Sequence, residues 1–402
     1  MKAVWLFMDS DFEQVEVLLH HKRHNLLYAS EGYAAIQYLR AMMTFTKEAM
    51  NEAQTAAENT INLTTYFRKP RGVSALLSGP GKPDWHILKT MTPTQRHAEL
   101  VHAEAYLLRA VLNIAMGDGV MALLKESWHV RSAYATYRGC YAYIQDAHAD
   151  GETIDDHFVS GTYLGMGVFN LILSMMPARL LRFIELVGFS ADRKLGLELL
   201  AIAAGGSATI HPCGVGLRSE FCSLVLQFYH ILLCNELYLG YPNQPLVDAV
   251  LRRSIQQHPK SLIFMYLDGR SLMTRRCLTE AIKAAGPKEW RQLQYLGYWE
   301  RSLCLMALGR WLEAAEGFNT LRKENNWNKA VYTYALAVCM WEHYLTVCNG
   351  IVRQLMKLVP TLKRKVAGKS IPVEKFVMRK ARKFKEQGDF LMRPGLELLH
   401  VW

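Results

Sequence analysis

The chain has 402 residues and a net charge of +11; half of its residues are apolar and 21% are charged. That balance suits a packed globular protein and excludes an intrinsically disordered one. Eight cysteines (140, 213, 222, 234, 277, 304, 339, 348) are scattered with no CxxC spacing, and no secretory signal opens the sequence. The default expectation is therefore reduced thiols in a cytoplasmic protein.

Taken in order, Met1 opens KAVWLFMDSDFEQ, which reads as the later part of a helix. Gly32–Met43 places small and apolar residues at helical spacing, and Thr46–Phe67 is a longer amphipathic run that stops at Pro70. These form an N-terminal block of repeat-like helices, residues 1–69. Residues 70–94, rich in proline and glycine, read as a surface loop. A second helical pair over 94–150 is interrupted at Gly117-Asp118-Gly119, and 148–156 is a polar linker. The stretch from His157 to Phe189 is the most apolar part and opens a central helical block, 157–240. A membrane span needs about twenty predominantly apolar residues. Ser160, Gly161, Thr162, Asn170 and Ser174 dilute this run and Pro177 breaks it, so a buried central helix is the expectation. Gly205–Gly216 is a loop, Phe221–Leu239 an apolar helix, and Leu246–His258 an amphipathic one stopped by Pro259. No segment has the alternation of a sheet.

Residues 241–360 carry an internal repeat. Gly269, Leu272, Ala281 and Ala285 are followed thirty-three residues later by Ser302, Leu305, Ala314 and Phe318. A tetratricopeptide repeat puts a small residue, a core residue, an alanine and a large residue at those places. Two antiparallel helices approach closely only where one side chain is small, and bulkier ones fill the gap beside it. Gly269, Ala281, Ser302, Ala314 and Phe318 are therefore the expected packing positions, although Asp268 and Arg301 stand where a leucine is usual. A third copy starts at Trp327. The fold class that follows is all-α: a superhelix of tetratricopeptide-type hairpins with a helical central insert.

From His157 onward the residue order is specific as well as periodic. LGMGVFNLILSMMPARLLRFIELVGFSADRKLGLELL (164–200) resembles the central segment of the tetratricopeptide repeat protein 39 family, which includes fungal relatives implicated in inclusion-body clearance. GYAAIQYLRAMMTF (32–45), HAELVHAEAYLLRAVLNI (97–114), ENNWNKAVYTY (324–334) and VAGKSIPVEKFVMRKARKF (366–384) are similar to further blocks of that family, in its order. The resemblance implies a helical repeat protein that acts through protein contacts, with roles in lipid and sterol homeostasis, inclusion-body clearance or ciliary assembly. It implies no catalysis, cofactor or metal.

The residues agree on chemistry. No GxSxG, P-loop, HExxH or EF-hand run is present. His20 and His24 lie four apart on one presumed helical face, yet no neighbouring carboxylate or cysteine completes a metal set. Gly165-Met-Gly167 lacks the strand that a nucleotide loop requires, and Gly161-xxx-Gly165 fits close helix packing better than a membrane interface. No small-molecule substrate is expected.

Two surfaces remain. The repeat resemblance puts Ile263, Tyr266, Arg270 and Met273 on the inner face of one copy. Leu296, Trp299, Leu303 and Met306 take those places in the next copy, and Thr333, Ala337 and Met340 in the third. With Arg270 the sole cation, such a face suits an amphipathic helix of a partner, or another part of the same chain. The second surface is basic. Ten Lys or Arg residues and one acid lie between Lys363 and Lys385, leaving about +2 for everything else. Lys363, Arg364, Lys365, Lys369, Arg379, Lys380, Arg382 and Lys383 form a patch in the C-terminal helical segment, 361–402. It admits three readings: a solvated helix face, a contact with anionic membrane surface, and nucleic-acid binding. The last is disfavoured because aromatic interleaving is limited to Phe376 and Phe384.

Overall fold

The computed structural model describes residues 1–68, 85–117, 120–176, 191–205, 215–234, 239, 243–271, 292–344, 349–362, 365–366, 369–370 and 372–401. Two compact units are distinguished. One comprises 1–38, 51–113 and 123–271; the other comprises 39–50, 114–122 and 272–402.

The first unit begins with α1 (Lys2–Met8) and α2 (Phe12–His20), which pack on each other. The Asp11 carboxylate caps α2 by accepting from Gln14 N at 3.3 Å. Two long hairpins follow in sequence. The first is α3 (Leu27–Thr44) with α4 (Lys47–Phe67). After a short helix α5 (Trp85–Lys89) come α6 (Pro93–Met116) and α7 (Val120–Ala149). Helix α5 lies inside the stretch expected to be loop; five residues are too few to announce themselves by periodicity. A reciprocal capping box starts α6: Gln95 N donates to Thr92 Oγ1, and Thr92 N to Gln95 Oε1.

The apolar central stretch forms α8 (Asp156–Ser174), capped by Asp155, which accepts from His157 N and Phe158 N. It is followed by α9 (Arg193–Ala203) and α10 (Ser219–Phe228), the latter continuing as a π-helical turn at Tyr229–Leu233. Helices α11 (Gln244–Gln257) and α12 (Leu262–Ser271) complete the unit. The core is built on α8, whose Phe158, Tyr163, Met166, Phe169 and Leu171 meet Tyr137 and Cys140 of α7 and Leu199 and Leu200 of α9. Helix α8 is buried round most of its surface, as an apolar helix inside a protein should be. Its glycines set the spacing. A Cβ on Gly165 would collide with the Tyr137 ring, and one on Gly167 with Leu200 and the Gly196 backbone. This is helix packing inside a protein, the use expected for Gly161-xxx-Gly165. No helix among the described residues is long and apolar enough to cross a membrane.

In the second unit α13 (Gln292–Ala307), α14 (Trp311–Glu324), α15 (Lys329–Tyr344) and α16 (Asn349–Leu358) pack each on the next. A 3-10 turn, Val359–Leu362, follows. Then come two-residue strands β1 (Lys365–Val366) and β2 (Lys369–Ser370), antiparallel with Lys365 opposite Ser370. This pairing corrects the expectation of no sheet; four residues carry no alternation to read. Helices α17 (Pro372–Glu386) and α18 (Pro394–Val401) end the unit. Residues 39–50 belong here too: the Trp327 indole donates to Met42 O at 3.1 Å and its ring lies 5.9 Å from Phe45.

Candidate functional site

The hairpin of α13 and α14 has the repeat geometry. Between the helices Gly309 has φ +72°, and Arg310 N donates to Leu305 O at 2.8 Å, closing α13 as a glycine C-cap does. A Cβ on Gly317 would collide with the Ser302 hydroxyl, so the two helices meet at Ser302. Leu305, Ala314 and Phe318 are buried beside that contact. Gly269 is buried in α12. Leu272, Met273, Ala281 and Ala285 lie outside the described residues, so the first copy is seen only in its leading helix.

Several of the inner-face residues are covered within their own unit. Ile263, Tyr266, Met306, Thr333 and Ala337 are buried, Met306 at 1% exposure. Arg270, Trp299, Leu303 and Met340 are half-buried. Trp299 packs on Phe318 at 5.5 Å and on Tyr332 at 5.7 Å. Helix α15 has almost no exposed side, because α14, α16, α17 and α18 all pack against it. Tyr334 meets Phe376 of α17 at 6.3 Å and Trp341 meets Phe384 at 5.8 Å, while Glu342 accepts from Gly395 N at the start of α18. This corrects the reading of Tyr266 and Met306, and of the third copy's Thr333 and Ala337, as groove lining. Helical spacing identifies a face but not what covers it. The part left open is on α13, where Leu296 is 42% exposed and Trp299 and Leu303 follow at spacings of three and seven.

Of the basic patch, Lys363 and Arg364 lie outside the described residues, and Lys365 and Lys369 are placed by their backbone alone. Arg379, Arg382 and Lys383 are exposed on α17. Lys380 is engaged, paired with Glu397 and lying 5.6 Å above the Phe376 ring. Lys375 and Lys385 are exposed on the same helix. Helix α17 buries Val377, Ala381 and Phe384 on the opposite side.

A buried charge network in the first unit escaped the sequence reading. Arg218, 4% exposed, pairs with Glu104, lies 3.9 Å from Glu31 and stacks 4.9 Å above the Tyr28 ring. The Tyr28 hydroxyl hydrogen-bonds to His97 Nδ1, and His97 Nε2 is 3.5 Å from Asp155. Burial pushes the Glu104 carboxyl up to about 7 against the opposing pull of Arg218, and raises Glu31 in the same way. Burial also lifts the Tyr28 phenol to about 12 and lowers His97. Two carboxylates thus share one guanidinium, whose Nη1 has no hydrogen-bond partner among the described residues. Arg218 and Glu104 are 114 residues apart, and no motif joins them. The network ties α3, α6 and the start of α10 together, which is a structural task.

The histidines are similarly occupied. Helix α2 ends at His20, so His20 and His24 do not share a helical face. His102 hydrogen-bonds Thr64 at 2.8 Å. Among the described residues no group of three or more potential ligands converges on a metal position. Cys140, Cys222, Cys234 and Cys339 are buried, and burial pushes the Cys140 and Cys339 thiols well above the ordinary range.

Successive helices packed each on its neighbour, with small residues at the crossings, define an all-α repeat protein of the tetratricopeptide kind. The chain belongs to the Iml2/Tetratricopeptide repeat protein 39 family, whose profile matches residues 1–402. It is similar to the tetratricopeptide repeat protein ttc-39B of Caenorhabditis elegans, at 29% identity over 409 residues, covering 99% of this chain and 68% of that protein. No solved structure matches it.

Proposed function

We propose that the chain is a non-enzymatic adaptor that docks an amphipathic helix of a partner protein on the open side of α13. The observation that carries this reading is the apolar ridge of Leu296, Trp299 and Leu303, with Leu296 exposed at one end of a helix whose other face is anchored in the core. Such a ridge matches the i, i+3, i+7 spacing of helix-in-groove recognition. Membership of a tetratricopeptide-type family supports the same role. The finer role, in lipid homeostasis or inclusion-body clearance, would be set by which partner docks there, in the cytoplasm.

The test is a double substitution, Leu296→Glu with Leu303→Glu, in the full-length chain. Affinity purification with mass spectrometry should show partners lost while circular dichroism stays unchanged. A partner set identical to that of the parent, in a variant that is still folded, would sink the assignment to α13.

A further inference from the structure

Helix α17 presents its cations in an ordered way. Arg379 follows Lys375 by four residues, and Arg382 and Lys383 follow Arg379 by three and four, so the four cations line one stripe about 12 Å long. All four are exposed, and among the described residues none of them makes an ion pair. The stripe ends at Glu386, the one acid on that side. The helix cannot roll to hide these charges, because Val377, Ala381 and Phe384 hold its other face in the core.

The turn that leaves α17 adds a second element. Arg353 pins it by pairing with Asp389 at 2.6 Å, and Leu391 is buried. On either side of that anchor stand Phe390, 51% exposed, and Met392, 79% exposed, followed by exposed Arg393. Apolar side chains held outward beside unpaired cations match a surface that is anionic at the headgroups and apolar just beneath. A single-stranded nucleic acid would instead need exposed aromatic rings for stacking. The rings on α17 are used inside: Phe384 lies against Trp341, and Phe376 lies between Tyr334 and Lys380. Phe390, half exposed in the turn, stands edge-on to Trp341 at 5.8 Å, so it offers one rim and no row of stacking faces.

We propose that the outer stripe of α17, together with the turn at Phe390–Arg393, docks the protein on an anionic phospholipid membrane. This surface is separate from the α13 ridge, so the two readings stand or fall independently. Helix α8 takes no part, since it is enclosed in the first unit's core.

The full-length chain would be tested by flotation with phosphatidylcholine vesicles, with and without phosphatidylserine. Binding is expected only with the anionic lipid and is expected to weaken as salt is raised. Neutralising one cation should weaken it by about fivefold, from the worth of a Lys or Arg near an anionic surface. Lys375→Gln/Arg379→Gln/Arg382→Gln/Lys383→Gln should abolish detectable binding, and Met392→Ser should weaken it without touching a charge. All five positions are exposed, so an unchanged circular dichroism spectrum is expected to accompany the loss. Absent binding by the parent chain, indifference to phosphatidylserine, or full binding by the quadruple variant each overturns the proposal. So does capture of a single-stranded RNA oligonucleotide by a chain that leaves the vesicles free.

Discussion

Replacing Arg218 with methionine tests the buried charge network most directly. The guanidinium is 4% exposed, pairs with Glu104, lies near Glu31, and covers the Tyr28 ring. Methionine fills much of the same volume but leaves two enclosed carboxylates without a counter-charge. Breaking a buried pair by removing one partner costs about 3–5 kcal/mol. That is about a fifth or more of the stability of an ordinary domain. With a urea dependence near 3 kcal/mol/M the unfolding midpoint should fall by about 1 M or more. The cost should also depend on pH, in a direction that the carboxyls fix. Glu104 holds its proton up to about 7 when folded, against an ordinary value of 4.5, so the folded state binds that proton more tightly than the unfolded chain. Its contribution therefore favours folding at acid pH and is lost as pH rises from about 4.5 to 7. Without Arg218 both carboxyls would rise further, so Arg218→Met should cost more at pH 8 than at pH 5. Adding Glu104→Gln should restore much of the loss at pH 8, as a double-mutant cycle for a coupled pair requires. An equal cost at both pH values, or no rescue by Glu104→Gln, would show that the three charged groups do not act together.

Three further outcomes follow from burial. Gly165→Ala should lower the urea midpoint by an amount equivalent to about 1–3 kcal/mol, because the added methyl meets the Tyr137 ring in a core with no room to yield. Met306→Glu should prevent folding in a circular-dichroism melt, whereas Leu296→Glu, on the open side of the same helix, should shift stability by about 0.5 kcal/mol or less. Cys140, Cys222 and Cys339 should resist a thiol reagent in the native protein and react once it is unfolded, followed by absorbance of the released chromophore.

Much of the fold was legible because its helices announce themselves locally. Thr46–Phe67 is amphipathic and ends before a proline, and α4 runs from Lys47 to Phe67. The diluting polar residues of the central stretch mark a buried helix, and α8 fills Asp156–Ser174. Ser302 stands at a close approach of two helices, against Gly317, and Leu305, Ala314 and Phe318 are buried in the same unit. Short elements were not legible. Trp85–Lys89 and the pairing of Lys365–Val366 with Lys369–Ser370 are too brief to leave a period.

The surfaces were legible only in part, and the reason is the same for each miss. Exposure is a property of what lies opposite, and what lies opposite is distant in sequence. Thr333 and Ala337 occupy inner-face positions by spacing, yet the helix that carries them is packed by α17 and α18, whose residues begin some forty positions later. Lys380 looks like its neighbours in the basic run, but Glu397 claims it. Arg218, Glu104 and Glu31 converge from three separate helical regions with no motif to announce them. Composition marked the C-terminal segment as basic, and only packing separates the stripe at Lys375, Arg379, Arg382 and Lys383 from the cation already spent inside. The same packing decides what each surface can do. A helix held in the core by one face offers its other face at no cost in reorganisation, so docking on α13 or α17, as proposed, would not consume binding energy in ordering the protein.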